Sequence, residues 1–214
     1  MKRMLSLSLA LLLLISLAGC SGNESDPLLG TWTGEIDDAN RINLLLEDAY
    51  GAEMANYWKV ETFPVTIVMT FREDGTYSQT VDKEKLGHSM EQLKQVLSAG
   101  LTAFLEDLIA ASNTETTAQE LMQQLNISVE DLLDSAFSDK SIGEVESEYT
   151  FEGNFKSEDG KLYTSTGLDF NVDENWYETY EISDDTLTLL SLVCQEDGPK
   201  VEQDRYPLTF TRTK

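Results

Sequence analysis

The chain has 214 residues, 41% of them hydrophobic and 25% charged, and its 39 acidic residues against 15 lysines and arginines give a net charge of −24. That apolar content supports a packed core rather than disorder, and one histidine with two cysteines leaves little material for a zinc site. Nucleic-acid binders cluster lysine and arginine to displace counterions; no such cluster occurs here, and nucleic acid is excluded as a partner.

Lys2-Arg3 precede an apolar run from Leu5 to Leu17, and Leu17-Ala18-Gly19-Cys20 closes the segment. The run falls short of the roughly 20 residues that span a bilayer core, and a basic start with small residues behind has the form of a secretion signal. The tetrad resembles the lipobox of bacterial lipoproteins. The resemblance implies removal of a leader at 1–19, a diacylglyceryl group on the Cys20 thiol, and anchoring by fatty acyl chains such as palmitate. Membrane lipid is then the first partner, at the extracytoplasmic face of the cell membrane, or in an outer membrane where the host has two. Ser21 to Pro27, small and polar, reads as a tether within 20–27, and 28–214 as one domain. The leader holds two positive charges, Lys2 and Arg3, and no acid, so its removal deepens −24 to −26. Anionic head groups repel such a domain beyond its anchor. With Cys20 lipidated, Cys194 has no cysteine left to pair with, and its setting in Leu192-Val193-Cys194 is that of a small strand residue.

Leu28 to Ile36 reads as the first strand. Arg41 to Trp58 carries Ile42, Leu45, Leu46, Ala49, Tyr50, Met54, Tyr57 and Trp58 at spacings near three and four, which predicts an amphipathic helix with Asp38 or Asn40 as N-cap. Thr62 to Phe71 alternates, with Phe63, Val65, Ile67, Met69 and Phe71 on one face, and Asp74-Gly75 turns the chain into a return strand, Thr76 to Val81. From about 82 to 140 the period changes. Leu86, Met90, Leu93, Leu97, Leu101, Phe104 and Leu108 form a helical stripe that Gly100 bends or breaks. Thr117-Ala118-Gln119-Glu120 is a capping box opening a helix to Leu125, and Ser128-Val129-Glu130-Asp131 opens another to Phe137.

Strand signals then resume. Asp159-Gly160 joins Tyr149-Phe151-Phe155 to Leu162-Tyr163, Ser183-Asp184-Asp185 joins Trp176–Ile182 to Thr186–Val193, and Asp197-Gly198-Pro199 leads to a last strand, Arg205 to Thr213. The fold predicted is mainly β with an α insertion: an eight-stranded antiparallel barrel, about wide enough for packed side chains or one small ligand.

Leu29-Gly30-Thr31-Trp32-Thr33-Gly34 carries the Gly-x-Trp pattern of lipocalins and their bacterial lipocalin-like relatives, and Arg212 ends the last strand. The Phe-x-x-Asp-Gly-x-Tyr hairpin and the ending Tyr206-Pro207-Leu208-Thr209-Phe210 also look like that group, whereas the Thr-Asp-Tyr motif of true lipocalins is missing. The resemblance implies a structural motif of Gly30, Trp32 and Arg212, the arginine stacked on the tryptophan at the closed base of the barrel. It also implies that Phe63, Met69, Phe71, Tyr149, Phe151, Tyr206 and Phe210 line an apolar cavity for a small apolar or amphipathic ligand. Packed core is the default reading of the same side chains.

No catalytic constellation stands out. His88 is the sole histidine, and neither a nucleophile elbow nor a phosphate-cradling glycine loop occurs. Adjacent carboxylates are frequent in so acidic a chain and mark no glycosidase. Asp169-x-Asn171-x-Asp173-x-Asn175 offers alternate oxygens to a calcium ion, but Glu174 and Tyr180 stand where an EF-hand loop needs glycine and glutamate. The expected protein is therefore a non-enzymatic lipoprotein with no cofactor or metal. The alternative to ligand binding is contact with an envelope protein through the acidic helical insertion.

Overall fold

Alternation and glycine turns build the strands. The computed structural model describes residues 26–112, 116–125, 128–136, 139–166, 176–194 and 205–213. The leader 1–19, Cys20, the loop 169–175 and the turn 197–199 lie outside them, as does the side chain of Cys194. The strands are β1 (Gly30–Asp37), β2 (Pro64–Phe71), β3 (Thr76–Val81), β4 (Phe151–Glu158), β5 (Lys161–Thr166), β6 (Trp176–Ser183), β7 (Thr186–Cys194) and β8 (Leu208–Thr213). Each pairs antiparallel with the next, and β8 returns to β1 through Trp32↔Arg212 and Gly34↔Phe210, closing an eight-stranded barrel. At the β4–β5 turn Asp159 and Gly160 both adopt positive φ, +51° and +73°, the geometry whose twist matches the flanking strands.

The inner face of β2 carries Val65, Ile67, Met69 and Phe71, all buried, as its alternation predicts. In β6–β7 the register shifts between Thr179 and Tyr180: Thr179 pairs with Ser191 and Tyr180 with Leu189. The extra residue, Leu190, is exposed. The bulge lets Leu187 and Leu189 share the inner face with Leu192, which strict alternation would turn outward.

Helices fill the two longest connections. Between β1 and β2 the single helix expected over 41–58 is two, α1 (Ala39–Tyr50) and α2 (Ala52–Ala55), because Gly51 at φ +82° leaves the helical region. Asn43 pins the connection, its amide bonding both N–H and C=O of Val60 at 2.9 and 2.8 Å. Between β3 and β4 lie α3 (Lys83–Ala111), α4 (Ala118–Leu125), α5 (Val129–Ala136) and α6 (Asp139–Tyr149). The insertion thus continues past residue 140, and Tyr149 ends a helix rather than opening a strand.

Helix α3 runs unbroken through Gly100. A Cβ there would lie 2.2 Å from Trp58 Cδ1 and from the Tyr57 carbonyl, so this glycine admits a close approach of α3 to the chain after α2 and bends nothing. Leu86, Met90, Leu93 and Leu97 bury the stripe, and Ser89 Oγ donates to the Pro64 carbonyl at 2.7 Å, tying α3 to β2. Further along the stripe exposure rises, to 51% at Leu108. The predicted caps form: Thr117 and Glu120 bond reciprocally, and Ser128 accepts from the Asp131 N–H at 2.9 Å. Among the described residues, no helix is long and apolar enough to cross a membrane.

Candidate ligand cavity inside the barrel

The base of the barrel is sealed by residues distant in sequence. Trp32 is fully buried, its indole N–H donating to the Leu28 carbonyl at 2.7 Å. The guanidinium of Arg212 lies 4.2 Å from the Trp32 ring centroid and donates to the carbonyls of Leu29 and Pro27 at 2.6 and 2.7 Å. Gly30 sits beneath, where a Cβ would be 3.1 Å from Arg212 Nη1. The charge is held by a π face and two carbonyl dipoles, an arrangement that suits a planar, multi-donor cation.

At the other end of β1 stands a buried carboxylate. Asp38 occupies the N-cap position of α1 but makes no capping bond; its neighbour Asp37 takes the Ala39 N–H instead, at 3.1 Å. Asp38 accepts from the Tyr149 hydroxyl and from Arg205 Nη2, and Arg41 lies 3.6 Å away. One acid thereby joins the end of β1, the start of α1, the end of α6 and the segment entering β8. Burial pushes the Tyr149 phenol well above its usual range; the hydrogen bond and charge of Asp38 add to the rise, and Arg41 and Arg205 oppose it.

Between these ends lies a cavity of about 200 Å³. Its wall takes Met69 and Phe71 from β2, Tyr77 and Gln79 from β3, Phe151 from β4, Leu162 and Thr164 from β5, Trp176, Tyr177 and Glu178 from β6, Leu192 from β7, and Tyr206. Tyr77 packs edge-on against Phe151 at 5.8 Å and stacks with Phe71 at 6.0 Å. Tyr206 donates its hydroxyl to Glu178 Oε1 at 2.5 Å, and Gln79 donates to the Tyr149 carbonyl at 3.0 Å. The Tyr77 phenol is raised by burial, with the Thr164 hydrogen bond opposing and the negative charge of Glu178 adding to the rise. Larger grooves, of about 720 and 640 Å³, lie outside the barrel along α3. The interior cavity is where aromatic walls and a few polar groups converge, the usual make-up of a small-molecule site.

Of the residues predicted to line a cavity, Met69, Phe71, Phe151 and Tyr206 do so. Phe63 and Phe210 are core instead, 1% and 2% exposed, with Phe210 packed against Gly34, where a Cβ would lie 2.5 Å from its ring. Tyr149 is turned to Asp38 by its place at the end of α6. Tyr77, Gln79, Leu162, Thr164, Trp176, Tyr177, Glu178 and Leu192 were not anticipated. The signal was the alternation of β6, which puts Glu178 on the face of Trp176, Tyr180 and Ile182, a carboxylate among apolar neighbours. Among the described residues, no group of three or more His, Cys, Asp or Glu side chains is placed to hold a metal ion. No family model, curated protein or solved structure matches this chain.

Proposed function

We propose that the protein is a non-catalytic bacterial lipoprotein, anchored through Cys20 at the extracytoplasmic face of a membrane, whose barrel binds a small amphipathic molecule. The observation that carries the binding reading is the interior cavity, aromatic on most sides and polar at Glu178 and Tyr206. Its volume lies below the roughly 300–1,000 Å³ of drug-sized sites, which suits a small molecule or the head of a larger one reaching in past the exposed Trp176. The Trp32–Arg212 stack at the base supports the lipocalin-like resemblance, and the lipobox resemblance of Leu17 to Cys20 supports the anchor.

Native mass spectrometry of the full chain released from detergent tests the binding. The expected result is a reproducible low-mass adduct that organic extraction removes; a clean apo mass, unchanged after incubation with envelope extract, defeats it. Feeding cells an alkyne-tagged fatty acid tests the anchor: the wild-type chain takes up label and Cys20→Ser does not, whereas equal labelling of both refutes acylation at Cys20.

A further inference from the structure

We infer that small molecules enter and leave the barrel cavity sideways, through a seam between β5 and β6 with Trp176 as its gate. This rests on the ligand-binding reading above and adds the route to it.

The seam shows in the register. Strands β5 and β6 pair at Lys161↔Thr179 and Leu162↔Glu178, and the ladder stops there, although β5 runs on to Thr166 and β6 already starts at Trp176. Antiparallel order would continue it through Tyr163↔Tyr177 and Thr164↔Trp176. Among the described residues every other pair of neighbouring strands is joined at four positions or more. Beyond Leu162 the wall is held by side chains instead: the rings of Tyr163 and Tyr177 lie 5.4 Å apart, and the Lys161 ammonium sits 4.8 Å from the Tyr177 ring centroid. Ser165 Oγ, on the same stretch of β5, is buried without a hydrogen-bond partner, so parting the strands hydrates a hydroxyl that the closed wall leaves unsatisfied. A stretch with few ladder bonds opens at lower free energy than the rest of a fold.

The cavity lies at this seam. Thr164 borders it on one side and Trp176 and Tyr177 on the other, and Trp176 is 42% exposed, so the space inside the barrel meets solvent at that indole. Neither end of the barrel competes as an entrance. Fully buried Trp32 and the Arg212 guanidinium fill the base. At the other end Asp38 ties together α1, α6 and the segment entering β8, and the Ser89–Pro64 bond fastens α3 to the start of β2. A half-exposed indole beside a short ladder swings clear by side-chain rotation, whereas opening either end breaks buried packing or strips a buried carboxylate of its partners.

Kinetics separate a gate from a wall. The probe is 4-fluorophenol, a small amphipathic molecule, and the readout is its association and dissociation rates with the full chain in detergent, by fluorine-19 exchange NMR. Loss of a gate raises both rates, whereas loss of a wall contact raises dissociation alone. Trp176→Ala should therefore speed association by roughly threefold to tenfold. Should that variant not fold, Tyr163→Cys with Tyr177→Cys, made in a Cys194→Ser background, places a disulfide at the next rung of the seam; oxidation should slow association at least about tenfold, and reduction should restore it. Association left unchanged by Trp176→Ala, or by the disulfide where that pair is used, overturns the seam and moves the entrance to an end of the barrel. A wild-type chain that takes up no 4-fluorophenol also overturns it: an extractable adduct in native mass spectra would then keep the binding reading standing, and a clean apo mass would remove the two together.

Discussion

Single side chains show both what was legible and what was not. Trp32 and Arg212 were readable because a short motif and a chain end occupy paired positions on the inner faces of neighbouring strands, and they meet at 4.2 Å. Tyr149 was not, because an aromatic near Phe151 reads as strand, and only the tertiary position of Asp38 turns its hydroxyl aside. That placement has a pH consequence. Unfolded tyrosine ionises near pH 10, and the folded value of Tyr149 is raised, with burial the largest cause and the Asp38 bond the next. A raised folded value means stability that is complete below about pH 10 and declines above it, as the unfolded chain loses protons that the native one keeps. Urea midpoints taken from pH 8 to pH 11.5 should therefore fall beyond pH 10 for the wild type. Tyr149→Phe should fall less steeply, Tyr77 and Tyr180 continuing to contribute because theirs are raised as well. Identical slopes would show that Tyr149 ionises in the native state.

Among the elements, strands and the capped helix starts at Thr117 and Ser128 were legible, whereas the last helix of the insertion and the course of the chain at Gly51 and Gly100 were not. Period-two patterns bounded by Asp-Gly turns locate β2, β3 and β4–β5 closely, since side-chain alternation and positive φ are local requirements. Helix α6 escaped because its apolar stripe in Asp139–Tyr149 is only Ile142, Val145 and Tyr149, the last of which also reads as strand beside Phe151; the helix packs against β3 and α3. Gly100 was misread for a related reason. A glycine in a helix signals either a break or a close neighbour, and the sequence does not contain the neighbour. Two substitutions in α3 separate these roles. Gly87→Ala meets nothing within 4 Å and should add about 0.5–1 kcal/mol through helix propensity and reduced unfolded-state entropy. Gly100→Ala drives a methyl into Trp58 and the Tyr57 carbonyl and should cost about 1–3 kcal/mol despite the same intrinsic preference. Chemical denaturation of the two variants in parallel checks this; an equal gain at both positions would mean that α3 does not lie against Trp58.

The whole molecule combines a closed barrel with one-sided charge. Closure was legible, since eight antiparallel strands, six of them paired in hairpins by short turns, leave few alternatives to a barrel. The cavity was not, because its volume depends on which inward rings meet across the barrel and which pack against each other. Charge, by contrast, is read straight from composition, and its effect on stability turns on two opposing terms. Salt screens the surface pairs Lys83–Glu146 and Lys156–Glu158, pairs of a kind that adds little to stability. It also screens repulsion among 39 acids that only 15 lysines and arginines can offset. The second term involves many more groups, and at low ionic strength it acts over a Debye length of about 30 Å, against about 3 Å at 1 M. Raising sodium chloride from 0.01 to 1 M should therefore stabilise the fold by about 1 kcal/mol or more, an increase in Tm of roughly 2–4 °C for a chain of this size. Chloride is preferred to sulfate, which strengthens apolar burial by itself. A Tm that stays level or falls with added chloride would mean that local ion pairs outweigh the summed repulsion.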